Sequence, residues 1–240
     1  MNLIEGTHRE PPVIERAELV KTDGRSDAVR SVETCDALAG IVEPDVALVI
    51  WERSLPLSVR DWLEGLESRQ LPNLRVLIAP ADIRRAIEPH MDACGMPAGE
   101  MRDLLIRDIG KLVSTFADIT ASNLVDVRLE RIVHDACWKF HRDSVETRLL
   151  TTYRGPATEW VQPRDAAQAM REQRDYNGQL ERLQDYGVAI FKGSRAQAVS
   201  GIVHRSPPIE GSGCTRLLLC LNRPSEVSPA PWSPDSEALR

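Results

Sequence analysis

Two patterns of apolar spacing divide the chain. From about residue 31 to 120, short apolar runs alternate with stretches whose apolar residues recur every three or four positions. DVALVIW (45–51) and NLRVLIAP (73–80) are β-branched runs bounded by proline, which predicts buried strands. SVRDWLEGLES (58–68) places Val59, Trp62, Leu63 and Leu66 along one helical face. DIRRAIEPHMDACG predicts a helix capped by Asp82, bent at Pro89 and stopped at Gly95. The clearest helix is PAGEMRDLLIRDIGKLVSTFADIT, with Pro97 near its start and Leu105, Ile109, Leu112 and Phe116 on one side.

From about 123 to 222 the helical period mostly gives way to short strands. LVDVRLERIV alternates apolar and polar residues, as a strand with one wet face does. RLLTTY, TEWV, GVAIFKG, SGIVH and TRLLLCLN follow, separated by the turn-forming stretches RGPA, YG, KGS and RSPPIEGSG. Residues 162–184 interrupt them as a charged helical insertion. Many short strands over some hundred residues predict a sandwich or barrel. Residues 1–30 lack periodicity and read as a flexible arm. Residues 223–240, with four prolines, read as a disordered tail. That leaves an α/β region at 31–122 packing on a β domain at 123–222.

Composition removes several classes of function. A net charge of −6, with arginines scattered among acidic neighbours, leaves no footprint for nucleic acid. No apolar run approaches the roughly 20 residues that span a bilayer, and the N-terminus lacks the pattern of a secretory signal. Five cysteines without a CxxC pair fit reduced thiols, so a cytoplasmic location is expected. The oligomeric state and the substrate leave no readable mark.

The candidate chemistry begins at His141-Arg142-Asp143. On a regular strand, residues two apart face the same way, and a nitrogen beside a hard oxygen suits a divalent first-row metal. His204 ends an apolar strand before a proline-rich turn. Arg216 opens the next strand beside a run of leucines, where a buried guanidinium needs an anionic partner, unless it leaves for solvent or pairs with Glu210. His141, Asp143 and His204 together would form a two-histidine, one-carboxylate triad with open metal positions. Arg216 would then supply a fork for the far carboxylate of a 2-oxoacid. Tyr153 is a second candidate for that carboxylate, through its phenol. Arg148 differs from it by five positions, so the two cannot face the metal together on a regular strand.

Other motifs carry less. Lys192-Gly193 lacks the frame of a phosphate loop, and no GxSxG elbow accompanies a histidine. His134 and Asp135 are adjacent and would point to opposite faces. Cys214 and Cys220 share parity but read as buried thiols. Thr152 and Thr158 read as ordinary strand residues, Trp138 and Phe140 as packing, and Trp160 as a wall of the pocket.

The order HxD, distal His, then Arg twelve residues on resembles the Fe(II)/2-oxoglutarate-dependent oxygenases. That resemblance implies an α+β chain whose C-terminal part is a double-stranded β-helix (jelly roll), with Fe(II) and 2-oxoglutarate as cofactors. Whole phrases, WKFHRDSVETRLLTTYRGPATEWV, GVAIFKG and VHRSPP…RLLLCLN, resemble the bacterial DUF1826 family. Ala157 stands where the family pattern usually has a second glycine. Family members tend to occur near zinc-homeostasis genes, which implies zinc as an alternative metal. The leading expectation is an oxygenase using His141, Asp143 and His204. Its rivals are a non-enzymatic zinc-binding module and a metal-free jelly-roll binding protein.

Overall fold

Strands form where β-branched runs can be buried on both faces, and helices where one apolar stripe can be laid on a sheet. The computed structural model describes residues 27–196 and 199–234. In chain order it has β1 (Val29–Val32), β2 (Leu48–Trp51), α1 (Leu57–Gly65), β3 (Leu74–Ile78), α2 (Ile83–Ala93), α3 (Glu100–Thr120) and β4 (Val125–Ile132). Then follow β5 (Thr147–Arg154), β6 (Glu159–Trp160), α4 (Ala166–Glu172), β7 (Glu181–Arg182), β8 (Val188–Lys192), β9 (His204–Arg205) and β10 (Arg216–Asn222).

Seven strands make one sheet in the order β1-β2-β8-β5-β10-β4-β3, and only the β1–β2 pairing is parallel. One face carries Val49, Val76, Val127, Leu149, Ile190 and Leu219 against the helices, including Ile109, Leu112, Val113 and Phe116 of α3. Each such side chain, fully buried, contributes about 1.5–3 kcal/mol. The opposite face carries Leu48, Ile50, Leu150, Ala189 and Phe191, which pack with Trp160, Leu183 and Ile202. Over that face lies a three-stranded sheet in the order β7-β6-β9. The architecture is therefore mixed α/β around one large sheet.

Several expectations change here. The strands of the 31–122 stretch enter the same large sheet as β4, β5, β8 and β10. Of the N-terminal arm, residues 1–26 lie outside the described residues, whereas β1 begins at Val29 and pairs with β2. Helix α2 runs through Pro89 and stops before Gly95, with the Met96 N–H returning to the Met91 carbonyl. Asp82 precedes it without a side-chain capping bond. The insertion at 162–184 is helical only over α4 and short 3-10 turns, and it includes β7.

The proline-rich tail also holds more structure than its composition predicts. Trp232 donates its N–H to the Leu77 carbonyl at 2.7 Å, and Pro231 bridges β3 at the same residue. Proline at an edge removes no ladder bond that the sheet needs, so the tail can dock there. Its last six residues lie outside the described residues. No helix among the described residues is long and apolar enough to cross a membrane.

Asp126 fastens this edge. Its carboxylate is 1% exposed and accepts bonds from Arg75 Nε at 3.0 Å, Arg75 Nη2 at 2.6 Å and Ser228 Oγ at 2.7 Å. Burial opposes its charge, yet the bonds from Arg75 and Ser228 outweigh that and hold the carboxyl below its usual range. A carboxyl depressed in the folded state stabilises above its unfolded pKa, and the benefit disappears as pH falls through the folded value. The advantage of wild type over Asp126→Asn should therefore be full above about pH 4 and shrink below it. Thermal melts of both proteins across acidic pH would read this, and an advantage independent of pH would count against the pairing.

Candidate metal centre

His141 and His204 are joined backbone to backbone. The His141 N–H donates to the His204 carbonyl at 3.0 Å, and the His204 N–H returns to the His141 carbonyl at 3.1 Å. Directly opposed residues of an antiparallel bridge send their side chains to the same side. The two imidazole centroids stand 4.6 Å apart as a result. His141 lies on an isolated bridge, outside any regular strand, so the predicted strand parity is not what brings Asp143 round. The loop after His141 does so, clamped by Ser194 N–H to the Asp143 carbonyl at 2.8 Å and by Arg142 Nε to the Gly201 carbonyl at 2.8 Å.

The three side chains converge. His141 Nε2 is 3.3 Å from Asp143 Oδ1, and His204 Nε2 is 3.3 Å from Asp143 Oδ2. One donor atom from each residue lies within 4.8 Å of the others. Ligand bonds near 2.0–2.2 Å at right angles would separate such atoms by about 3 Å. Both histidines also direct Nδ1 to a backbone carbonyl, Lys139 O at 2.8 Å and Ile202 O at 3.3 Å. An Nδ1–H donated there leaves a lone pair on each Nε2, the tautomer that suits metal ligation. Both Nε2 atoms then face the carboxylate, an arrangement of donors that could hold a cation. Asp143 Oδ2 is buried, with the Arg148 guanidinium and His204 Nε2 as its charged and polar neighbours.

The electrostatics agree. Burial works against the charge of Asp143, but His141, His204 and Arg148 together hold its carboxyl far below the ordinary range. Asp143 in turn raises the pKa of His141, against the effect of burial. Arg148 of β5 stands beside the triad, with Nη1 2.6 Å from Asp143 Oδ2 and Nε bonded to Asn222 Oδ1 at 2.7 Å. A cleft of about 320 Å³ opens alongside His141, lined by Asp135, Cys137, Trp138 and Lys139.

Arg216 is fully buried on the same sheet face as Leu218 and Cys220. Its Nε donates to the Pro156 carbonyl at 2.8 Å and Nη1 to Ser206 Oγ at 2.7 Å; Thr158 Oγ1 lies 3.5 Å from Nη2. Among the described residues no carboxylate lies in ion-pair range, so the guanidinium neither reaches solvent nor pairs with Glu210. Burial lowers its pKa to about 10, which leaves it charged at neutral pH. Gly155 permits this packing. Its φ is +76°, and a Cβ there would stand 2.7 Å from the Thr215 carbonyl and 3.1 Å from Arg216 Cγ. Ala157, the departure from the family pattern, has no such φ and sits buried without disturbing the turn.

The sequence profile of the family described as "Protein of unknown function (DUF1826)" matches residues 33–222. The chain belongs to the DUF1826 family. No curated protein matches it. Among solved structures, the dioxygenase for auxin oxidation from rice superposes with a TM-score of 0.47 at 11% identity, covering 85% of this chain and 89% of that one. Full-length Neurospora crassa T7H in complex with alpha-KG gives 0.39 at 13% identity, covering 92% and 94%. The Kdo hydroxylase KdoO, titled a non-heme Fe(II) alphaketoglutarate dependent dioxygenase, gives 0.39 at 10% identity, covering 81% and 88%.

In this DUF1826 chain Tyr153 stands apart from the triad. It shares the helix face with Leu149 by strand alternation, and its phenol donates to Asp108 Oδ2 at 2.6 Å. Arg53 holds the same carboxylate. The choice between positions 148 and 153 thus falls to Arg148. The argument applied to Arg216, that arginine in an apolar strand needs an anion, would have singled out Arg148 as well. Ser206 and Thr158, unremarkable in sequence, line the guanidinium of Arg216. Asp135 accepts the N–H groups of Ile209 and Glu210 and so shapes the turn after His204. Cys214 is exposed, whereas burial raises the Cys220 thiol to about 11.

The loop carrying Asp143 depends on Gly193. A Cβ there would stand 2.5 Å from the Asp143 carbonyl and press on that of Val145. Gly193→Ala should therefore displace Asp143 and weaken Mn(II) binding about tenfold or more, with a melting temperature lowered by several degrees. Calorimetric titration checks this, and wild-type affinity in the variant would show that the clamp does not set the ligand position.

Proposed function

We propose that this chain is an Fe(II)/2-oxoglutarate-dependent oxygenase whose two sheets form a jelly-roll core. The observation that carries the reading is the convergence of His141 Nε2, His204 Nε2 and the Asp143 carboxylate within 4.8 Å, with both Nδ1 atoms tied to backbone carbonyls. When bound, Fe(II) and 2-oxoglutarate supply dioxygen activation coupled to oxidative decarboxylation, and so oxidation of a second substrate.

The residues of the chain do the rest. His141, Asp143 and His204 hold the metal from one side and leave the other side open. Arg216, with Ser206 beside it, binds the distal carboxylate of the oxoacid, replacing an unpaired buried charge by a charge-assisted fork. Thr152 shares the interior face with Leu150 on β5, and its buried Oγ1 has no hydrogen-bond partner, which supports a polar ligand on this side of the sheet. The apolar wall of Phe191, Trp160 and Ile202 limits water there. The cleft beside His141 supports an approach for the second substrate along Trp138 and Lys139.

A zinc module uses the same three ligands plus water, so the donor set alone is common to both readings. Arg216 separates them, because a buried guanidinium with no carboxylate has no part in holding zinc. His141→Ala and Asp143→Ala should lose bound metal while keeping the wild-type circular dichroism spectrum. Arg216→Met should bind metal yet lose affinity for 2-oxoglutarate by about a hundredfold or more. Metal analysis, calorimetry and an anaerobic-to-aerobic oxoacid turnover assay with Fe(II) read these outcomes. Zinc as the sole metal retained, without oxoacid binding, would favour the zinc module. No metal binding at all would favour a metal-free binding protein.

A further inference from the structure

Buried carboxylates among the described residues are few: Asp126, Asp143 and Glu159. Asp126 is held by Arg75, and Glu159 by Arg182 and Arg205. Asp143 is thus the one anion of the triad, and Arg148 already faces it at 2.6 Å. The side chains of the pair are 8% and 19% exposed, so solvent screens them little. Among the described residues Arg148 has no other carboxylate in ion-pair range. Arg216, on the same sheet face, has none in ion-pair range. The Asp143 carboxylate therefore already faces the buried guanidinium of Arg148 before any metal arrives.

We propose that Arg148 makes metal retention conditional on a dianionic co-ligand. This rests on the triad reading of the preceding subsection and adds a regulation to it. Two neutral imidazoles and a carboxylate normally offer a divalent cation one negative charge. Here Arg148 cancels that charge at the carboxylate itself, so the cation enters a donor set of net zero charge. A dicarboxylate such as a 2-oxoacid, bound through Arg216, restores the balance and tightens the metal. The metal tightens the oxoacid by the same factor, since coupling between two ligands is reciprocal. Chelation contributes to such coupling in any site of this kind; the part owed to Arg148 is what a charge-neutral substitution removes.

The test is calorimetric titration of the full chain with Mn(II), with and without 2-oxoglutarate, on wild type, Arg148→Met and Arg148→Lys. Methionine keeps the packing of the stem and removes the charge, whereas lysine keeps the charge. Arg148→Met should bind Mn(II) alone about tenfold more tightly than wild type and gain correspondingly less from 2-oxoglutarate. Arg148→Lys should behave as wild type. Thermal melts establish that each variant is folded, and Arg148→Gln replaces methionine if that variant is not. Equal or weaker Mn(II) binding by the folded neutral variant, with an unchanged gain from 2-oxoglutarate, would overturn the proposal and leave the triad standing. Absence of Mn(II) binding by wild type in the presence of 2-oxoglutarate would instead overturn the triad reading itself.

Discussion

The reciprocal pair of hydrogen bonds between His141 and His204 is the constraint on which the site depends. Each bond contributes only about 1 kcal/mol to stability. Their consequence is geometric, since they set two imidazoles side by side from segments more than sixty residues apart. Nothing in the 137–146 stretch would hold His141 in that position by itself, because it is mostly loop. The bridge works because β9 is already fixed against β6, through the pairing of Glu159 with Arg205 and of Trp160 with His204. The Phe191 ring then packs 4.7 Å from that of His204 and restricts its rotation.

The large sheet separates two kinds of buried polarity. On its helix face, Arg53, Asp108 and Tyr153 form a closed network in which the charges are matched and the phenol has its acceptor. Such a network fixes α3 against the sheet and asks for no ligand. On the opposite face, Thr152 Oγ1 lacks a hydrogen bond and Arg216 lacks a carboxylate in ion-pair range. Native interiors leave few groups in that condition, and those left so concentrate where something else binds. Strand alternation along β5 makes the division, since Leu149 and Tyr153 fall on the helix face while Arg148, Leu150 and Thr152 fall on the other.

Legibility from sequence followed the same division. Periodicity located β2, β3, α1, α2 and α3 within a few residues, because each buries an apolar stripe or run that sequence displays directly. It missed β1, whose four residues pair through backbone bonds and carry little pattern. It also missed the docking of the tail, which depends on an edge of β3 that no local signal announces. The triad was legible because its residue types are chemically unusual together. Its means of assembly was not, since the HxD pair owes its geometry to a bridge and a clamped loop instead of strand parity. Parity correctly set positions 148 and 153 on opposite faces, and Arg148 was passed over because the phenol of Tyr153 was preferred on chemical grounds.

The charge on the interior face bears on which chemistry the site serves. A site meant only to hold a dication gains from surplus negative charge, and its best arrangement places carboxylates, not guanidiniums, around the ligands. The face around Asp143 has the opposite bias, with Arg148 on the carboxylate and Arg216 charged even though burial lowers its pKa to about 10. Keeping a guanidinium out of water is costly unless an anion meets it, and the protein supplies Arg216 only neutral oxygens from Pro156, Ser206 and Thr158. In the proposed reading the missing charge comes from a ligand, the dianionic oxoacid. On the charges of Asp143, Arg148 and Arg216, a dication alone would deepen the positive excess, and a dianion arriving with it would cancel that addition. On the proposed reading, metal and dianion would for that reason act as a single occupant of this face.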